Sequence, residues 1–182
     1  MSDQRTVLVT GATGNVGRHI VATLAAAGHP VRAASRHRPI DPAAATSHVP
    51  FDWHDPATHQ PAVDGVHAVY LMPPPASADP VGQVGAFLDL AQDAGVRRIV
   101  LLSSSAIRTG DPGPGQLHAK IVDRFPEWTV LRPSWFMQNF GGGGCRVLVG
   151  VLTGGVRRRS SFSTRARMAW QSGQARPVGT RR

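Results

Sequence analysis

Gly11, Gly14 and Gly17 stand directly behind the apolar run Thr6-Val7-Leu8-Val9-Thr10, and an amphipathic stretch follows at once. Strand, glycine turn and helix start, in that order, form a seat for a dinucleotide pyrophosphate. The first glycine allows the sharp turn out of the strand, the second lets the backbone approach a phosphate, and the third lets the helix lie close on the sheet. Unpaired N–H groups and the positive end of the macrodipole then face the anion. Thr10, Thr13 and Asn15 add short side-chain donors, and Val16 completes the turn. Three spaced glycines alone are a weak signal. What gives them weight is a βαβ unit of about 30 residues around them.

That unit is complete. Ile20, Val21 and Leu24 form an apolar helix face, Gly28-His29-Pro30 ends the helix, and Val31–Ser35 reads as a second strand. Beyond a Pro/Ala-rich connection from Pro39 to Ser47, residues 48–52 read as a third strand. Asp55-Pro56 is a helix start, with Asp55 as N-cap. Residues 66–72 give a fourth strand, 81–94 a helix closed by Gly95, 98–102 a fifth strand, 117–125 a short helix and 129–133 a sixth strand. Alternating strands and helices predict an α/β fold: a doubly wound parallel sheet of about six strands, of Rossmann type.

A chain of 182 residues suits one such domain, with 41% hydrophobic and 17% charged residues. No apolar run is long enough to span a bilayer, the N-terminus lacks a signal-peptide pattern, and the lone Cys145 makes no internal disulfide. The expected location is therefore cytoplasmic, with no membrane partner. Eight scattered histidines lack metal-ligand spacing, so no metal site is expected. No phosphate-loop lysine follows the glycines, which weighs against a nucleoside triphosphatase. Charge is unevenly placed: residues 1–140 hold 11 basic and 11 acidic residues, whereas 141–182 hold nine arginines and no acid. The body has no basic footprint for nucleic acid.

The glycine turn, Asp52, the Met72-Pro73-Pro74 and Ser103-Ser104-Ser105 strand ends, and the block Pro126-Glu127-Trp128-Thr129-Val130-Leu131-Arg132-Pro133-Ser134-Trp135-Phe136-Met137-Gln138-Asn139-Phe140 together resemble the NmrA-like branch of the atypical short-chain dehydrogenases. The last block is most similar to NAD(P)H-binding reductases related to an ergot-alkaloid biosynthesis enzyme. The resemblance covers Arg5 to Phe140. It implies that Gly11, Thr13, Gly14, Asn15, Val16 and Gly17 hold the pyrophosphate. Asp52 would contact the adenine amino group, or else serve as a turn aspartate. Met72 and Pro73 would flank the ligand at a strand end, or else form an ordinary core edge. Arg36, with Arg38 in reserve, stands where an acid would bind the ribose 2′-hydroxyl of NAD. A guanidinium suits a 2′-phosphate, so NADP is the expected cofactor, with NAD the alternative.

The typical superfamily catalyst is a serine with a tyrosine and a lysine four residues later. The only tyrosine, Tyr70, lies inside a strand and has no such lysine. In the matching helix, His118 is the candidate proton donor and Lys120 the candidate holder of ribose hydroxyls, although a spacing of two places them on different faces. Both also read as surface residues. Ser104 is the candidate to orient a substrate carbonyl, or else caps a turn; Arg132 and Trp135 are candidates for the nicotinamide side.

From Gly141 the composition changes, through Gly141-Gly142-Gly143-Gly144 and Arg157-Arg158-Arg159. Ordinary composition puts about five acids in such a stretch. The expected division is an NAD(P)-binding domain over 1–140 and an Arg/Gly-rich tail over 141–182 without regular structure or substrate lobe, as from a shifted reading frame or degraded end. Val147–Val151 is a lesser candidate for an edge strand. The rival for the tail is a true basic segment touching RNA or an anionic membrane. Three functional readings follow: a reductase passing hydride to a small organic substrate, a non-catalytic NADP-sensing regulator, and an inactive truncated reductase.

Overall fold

The computed structural model describes residues 5–37, 47–74, 77 and 80–134, and the backbone of 149–155. Strand β1 (Val7–Thr10) leads through the glycine turn into α1 (Gly17–Ala26), and β2 (Val31–Ser35) follows. Next come β3 (Ser47–Pro50), a single 3-10 turn at Pro56–Thr58, α2 (His59–Val63) and β4 (Ala68–Leu71). Then α3 (Pro80–Asp93), β5 (Arg98–Leu102), α4 (Pro114–Arg124), β6 (Glu127–Pro133) and β7 (Val149–Gly155) complete the order. The sheet runs β3-β2-β1-β4-β5-β6-β7. Its first six strands are parallel, in register Val7↔Val31, Val7↔Ala68, Ala68↔Arg98 and Arg98↔Glu127.

Successive residues of a strand face opposite sides of a sheet, and each side here has its own core. Leu8, Val69, Leu71, Ile99, Leu101 and Val130 meet Phe87, Leu88, Leu117 and Ile121 of α3 and α4. On the other side, Val9, Ala33 and Tyr70 cluster with Val21 of α1. Both faces are covered, which is why these strands read as nearly continuous apolar runs.

The elements differ from the sequence expectations mainly at their ends. The expected fourth strand is trimmed to four residues because Val66 N–H bonds the Val63 carbonyl in a turn (3.1 Å). α4 begins three residues earlier than 117, because Gly113 (φ +72°) turns the chain and Pro114 supplies a helical φ at the first position. β6 begins earlier, at Glu127, whose carboxylate pairs with Arg98 on β5. Asp55 caps the 3-10 turn as expected, accepting from Ala57 N–H at 3.2 Å.

The larger departure lies in the segment expected to lack regular structure. Residues 149–155 form a strand antiparallel to β6, with Leu131 opposite Val151 and Glu127 opposite Gly155. The Val-Gly-Val-Leu-Thr run has strand character, and β6 would otherwise present an unpaired row of N–H and C=O groups. Trp135, Arg38 and the four-glycine run lie outside the described residues.

Candidate functional site

Strand order reverses between β1 and β4, since β2 lies on one side of β1 and β4 on the other. In open α/β sheets the ligand crevice opens there, beyond the strand carboxyl ends. The glycine turn occupies that position. Gly11 adopts φ +63°, a left-handed conformation favouring glycine. A Cβ on Gly11 would stand 2.9 Å from Met72 Sδ. One on Gly17 would overlap the Gly11 carbonyl oxygen and come within 2.9 Å of Ala12 Cα. Gly14 donates its N–H to the Gly11 carbonyl at 2.9 Å, and Ala12 N–H reaches Ala34 on β2 at 3.2 Å.

Thr10, read above as a donor toward the ligand, holds the two strand ends together instead. Its hydroxyl accepts from Met72 N–H at 2.8 Å and donates to the Tyr70 carbonyl at 3.2 Å. Thr13 and Asn15 are exposed beside the turn, and α1 begins after Val16 with no side-chain cap. Of its first-turn N–H groups, those of Arg18 and His19 donate to the Gly14 and Val16 carbonyls at 3.2 and 3.1 Å, and the positive end of the helix dipole favours an anionic ligand beside the glycine turn. The residues present fit a dinucleotide.

Arg36 is exposed just past the carboxyl end of β2. Behind it, Ser35 is buried, its hydroxyl donating to the His37 carbonyl at 2.6 Å. Asp52 is half-buried and serves the turn reading: Oδ1 accepts from His54 N–H at 3.0 Å, and its carbonyl faces His59 Nε2 at 3.0 Å. Among the described residues, no hydrogen bond engages its other carboxylate oxygen.

A cavity of about 260 Å³ opens at the carboxyl ends of β4 and β5. Met72 and Pro73 form its β4 wall, Leu102 and Ser103 its β5 wall, and His118 with Leu117 its α4 wall. His118 is 1% exposed, and its Nε2 lies 2.7 Å from Ser103 Oγ. Its Nδ1 has no hydrogen-bond partner among the described residues. Burial lowers the His118 pKa below the ordinary histidine value, Arg132 lowers it further, and Asp111 opposes them. Burial and Arg132 thus both favour the neutral imidazole.

The other two catalytic candidates lie elsewhere. Lys120 turns toward α3, where a Cβ on Gly85 would stand 3.6 Å from its Nζ. Ser104 Oγ accepts from Ala106 N–H at 3.3 Å, a local turn contact. Arg132 binds the carbonyls of Ser104 (3.3 Å) and Ser105 (3.0 Å), fixing the loop after β5. Tyr70 is buried in the α1-side core, its hydroxyl unpartnered among the described residues, and burial pushes its pKa up to about 12. Ser103 is the residue that sequence reasoning passed over. The signal was available: Ile99 and Leu101 face α3 and α4, so two residues on, Ser103 takes the same side.

Residues 11–169 match the family model described as NAD(P)H-binding. The chain belongs to the NAD(P)H-binding family. Among its relatives, the uncharacterized oxidoreductase YesF of Bacillus subtilis is 37% identical over 176 residues, covering 97% of this chain and 56% of that protein. Agroclavine dehydrogenase of Claviceps fusiformis is 38% identical over 142 residues, covering 74% and 48%. The chain thus spans about half the length of these relatives, and both the family match and the YesF alignment continue past Phe140. Among solved structures, a short-chain dehydrogenase/reductase superfamily protein from Agrobacterium tumefaciens with bound NAD gives a TM-score of 0.55 at 27% identity, covering 70% of this chain and 48% of that one. The Citrobacter sp. triphenylmethane reductase complexed with NADP(H) shares the fold, with a TM-score of 0.60 at 23% identity, covering 74% and 51%. As an NAD(P)H-binding family member related to reductases, the chain has the expected Rossmann sheet. Among the described residues no helix is long and apolar enough to cross a membrane, and no His/Cys/Asp/Glu group could hold a metal ion.

Proposed function

We propose that this chain supplies the cofactor-binding half of a reductase, with the pyrophosphate on the Gly11–Gly17 turn and the nicotinamide at Met72 and Pro73. A bound reduced nicotinamide would supply hydride to a small organic substrate in the neighbouring cavity. The observation that carries this reading is that one cavity wall, Met72, is also the residue against which Gly11 closes. Pyrophosphate seat and cavity are therefore contiguous across the β1–β4 switch point. NADP is the preferred cofactor in this reading, because Arg36 stands exposed at the β2 end, where a guanidinium can pair with a 2′-phosphate.

A second reading, a dinucleotide-sensing regulator without turnover, is favoured by one observation. Tyr70 is buried away from the cavity and Lys120 faces α3, so the superfamily's proton-donating tyrosine and its assisting lysine have no counterpart at the cavity. Titrating NADPH and NADH against tryptophan fluorescence, then following NADPH oxidation with a panel of small carbonyl and imine compounds, separates the two. Binding with turnover supports the reductase, binding without turnover supports the sensor, and no binding at millimolar cofactor overturns both.

A further inference from the structure

We infer that His48, on the edge strand β3, is a positioning residue for cofactor choice. It holds the turn that carries Arg36, and so sets the preference for a dinucleotide with a 2′-phosphate over one without. This inference rests on the proposal above that Arg36 meets that phosphate.

The hydrogens around Ser35 can be placed in only one way. The His37 carbonyl can only accept, so the Ser35 hydroxyl donates to it at 2.6 Å. A hydroxyl has a single hydrogen to give. Toward His48 Nε2, 3.2 Å away, Ser35 Oγ is therefore the acceptor. The neutral imidazole then carries its hydrogen on Nε2, and the order of donation runs from His48 to Ser35 to the His37 carbonyl.

This relay brackets Arg36. Ser35 and His37 are its chain neighbours, and a hydroxyl bonded to the carbonyl two residues on closes a local turn around the residue between them. The Ser35 carbonyl is held as well, by Phe51 N–H at 3.2 Å. Both anchors come from β3 and the residue after it. β3 lies parallel to β2 with His48 opposite Ala33. Ala33 and Ser35, two residues apart, share a face of the sheet, which is why the imidazole reaches the hydroxyl. Arg36 itself is exposed, and ordering so long a side chain costs rotamer entropy. Fixing its backbone limits where the planar guanidinium can reach, and pairing with a phosphate depends on that geometry.

The pyrophosphate seat is built separately. It lies between β1 and α1 and meets β2 through Ala12 N–H and the Ala34 carbonyl at 3.2 Å. Loss of the His48 contact should therefore act at the 2′-phosphate and spare the rest of the dinucleotide.

The test uses the full chain. NADP and NAD are titrated against tryptophan fluorescence, and the ratio of their dissociation constants is the readout. His48→Phe, which keeps a ring but no donor, should weaken NADP about fivefold, as for loss of one net hydrogen bond, and leave NAD unchanged. His48→Gln, whose amide N–H can take the place of Nε2–H, should keep the ratio. In an Arg36→Ala background, His48→Phe should no longer change the ratio, because the residue it acts through is gone. On the unaltered chain, ¹⁵N spectra should place the neutral His48 hydrogen on Nε2, a readout independent of any variant's folding. Equal weakening of NADP and NAD in His48→Phe, an effect on the ratio that persists without Arg36, or a hydrogen on Nδ1 would overturn the inference. A preference for NADP that Arg36→Ala abolishes and His48→Phe leaves intact would overturn this inference alone. An unaltered chain that binds both cofactors equally would overturn the NADP reading and this inference with it.

Discussion

Replacing Gly17 by alanine is the sharpest test of how the turn is built. The new Cβ would overlap the Gly11 carbonyl oxygen and stand 2.9 Å from Ala12 Cα, whereas carbon atoms in good contact are about 3.5–4.0 Å apart. Both obstacles are backbone, so no side-chain rotation relieves them. Gly11 is also tied to Gly14 N–H and closes on Met72, so movement would propagate into the β1–β4 crevice. Overpacking commonly costs about 1–3 kcal/mol, and a backbone clash on two atoms belongs at the upper end. In a chain of this length, each kcal/mol lowers the melting temperature by roughly 2–4 °C, so a drop of about 6–12 °C is expected. Gly28→Ala is the control. Its φ of +78° carries conformational strain, but nothing lies within 4 Å of its Cβ position. It should cost only about 1–2 kcal/mol and leave cofactor affinity intact. Circular dichroism melts give the stabilities, and tryptophan fluorescence gives the NADPH affinity. A Gly17→Ala chain that melts within a degree of the parent and binds NADPH equally well would refute the close-packed turn.

Other perturbations report on neighbouring parts of the site. Arg36→Asp should weaken NADP by about tenfold to a hundredfold, the range for a charge-assisted hydrogen bond, and NAD far less; equal loss in parallel titrations would remove Arg36 from the 2′-phosphate role. Thr10→Val deletes the hydroxyl joining Met72 N–H and the Tyr70 carbonyl, and should cost about 1–3 kcal/mol in urea unfolding; a neutral result would mean that those strand ends hold without it. The lowered pKa of His118 means that the unfolded chain binds the more protons between the folded pKa and about 6.5. That contribution to stability is full above pH 6.5 and is lost as pH falls toward the folded pKa. His118→Gln should flatten this fall in denaturation midpoint; identical pH profiles would contradict burial of a neutral imidazole.

Most of the fold was legible because its signals are local. Apolar β-branched runs, Gly95 after a helix and Asp55-Pro56 before one each act within a few residues. Boundaries moved where pairing partners decided them, as when Arg98 opposite Glu127 extended β6. The strand at 149–155 was legible only as a faint candidate, since β-branched residues there are interrupted by glycine and its partner is the open edge of β6. The site was half legible. Glycine spacing announced the tight turn proposed to seat the pyrophosphate, because its backbone leaves no room for a Cβ at Gly11 or Gly17. The choice of Ser103 over Ser104, and of His118 over Lys120 as the cavity residue, depended on how α4 lies against β5, which no linear motif encodes. Thr10 likewise turned from ligand to strand because its partner is 62 residues away.

The central claim is that a dinucleotide lies across the β1–β4 switch point of this chain. Backbone amide NMR of the ¹⁵N-labelled protein, titrated with NADP, tests it most directly. The account predicts saturable shifts concentrated at Gly11 to Gly17, at Arg36, and at Met72, Leu102 and Ser103 around the cavity, with the far ends of the strands unmoved. No shift at millimolar cofactor, or shifts confined to other surfaces, would contradict it.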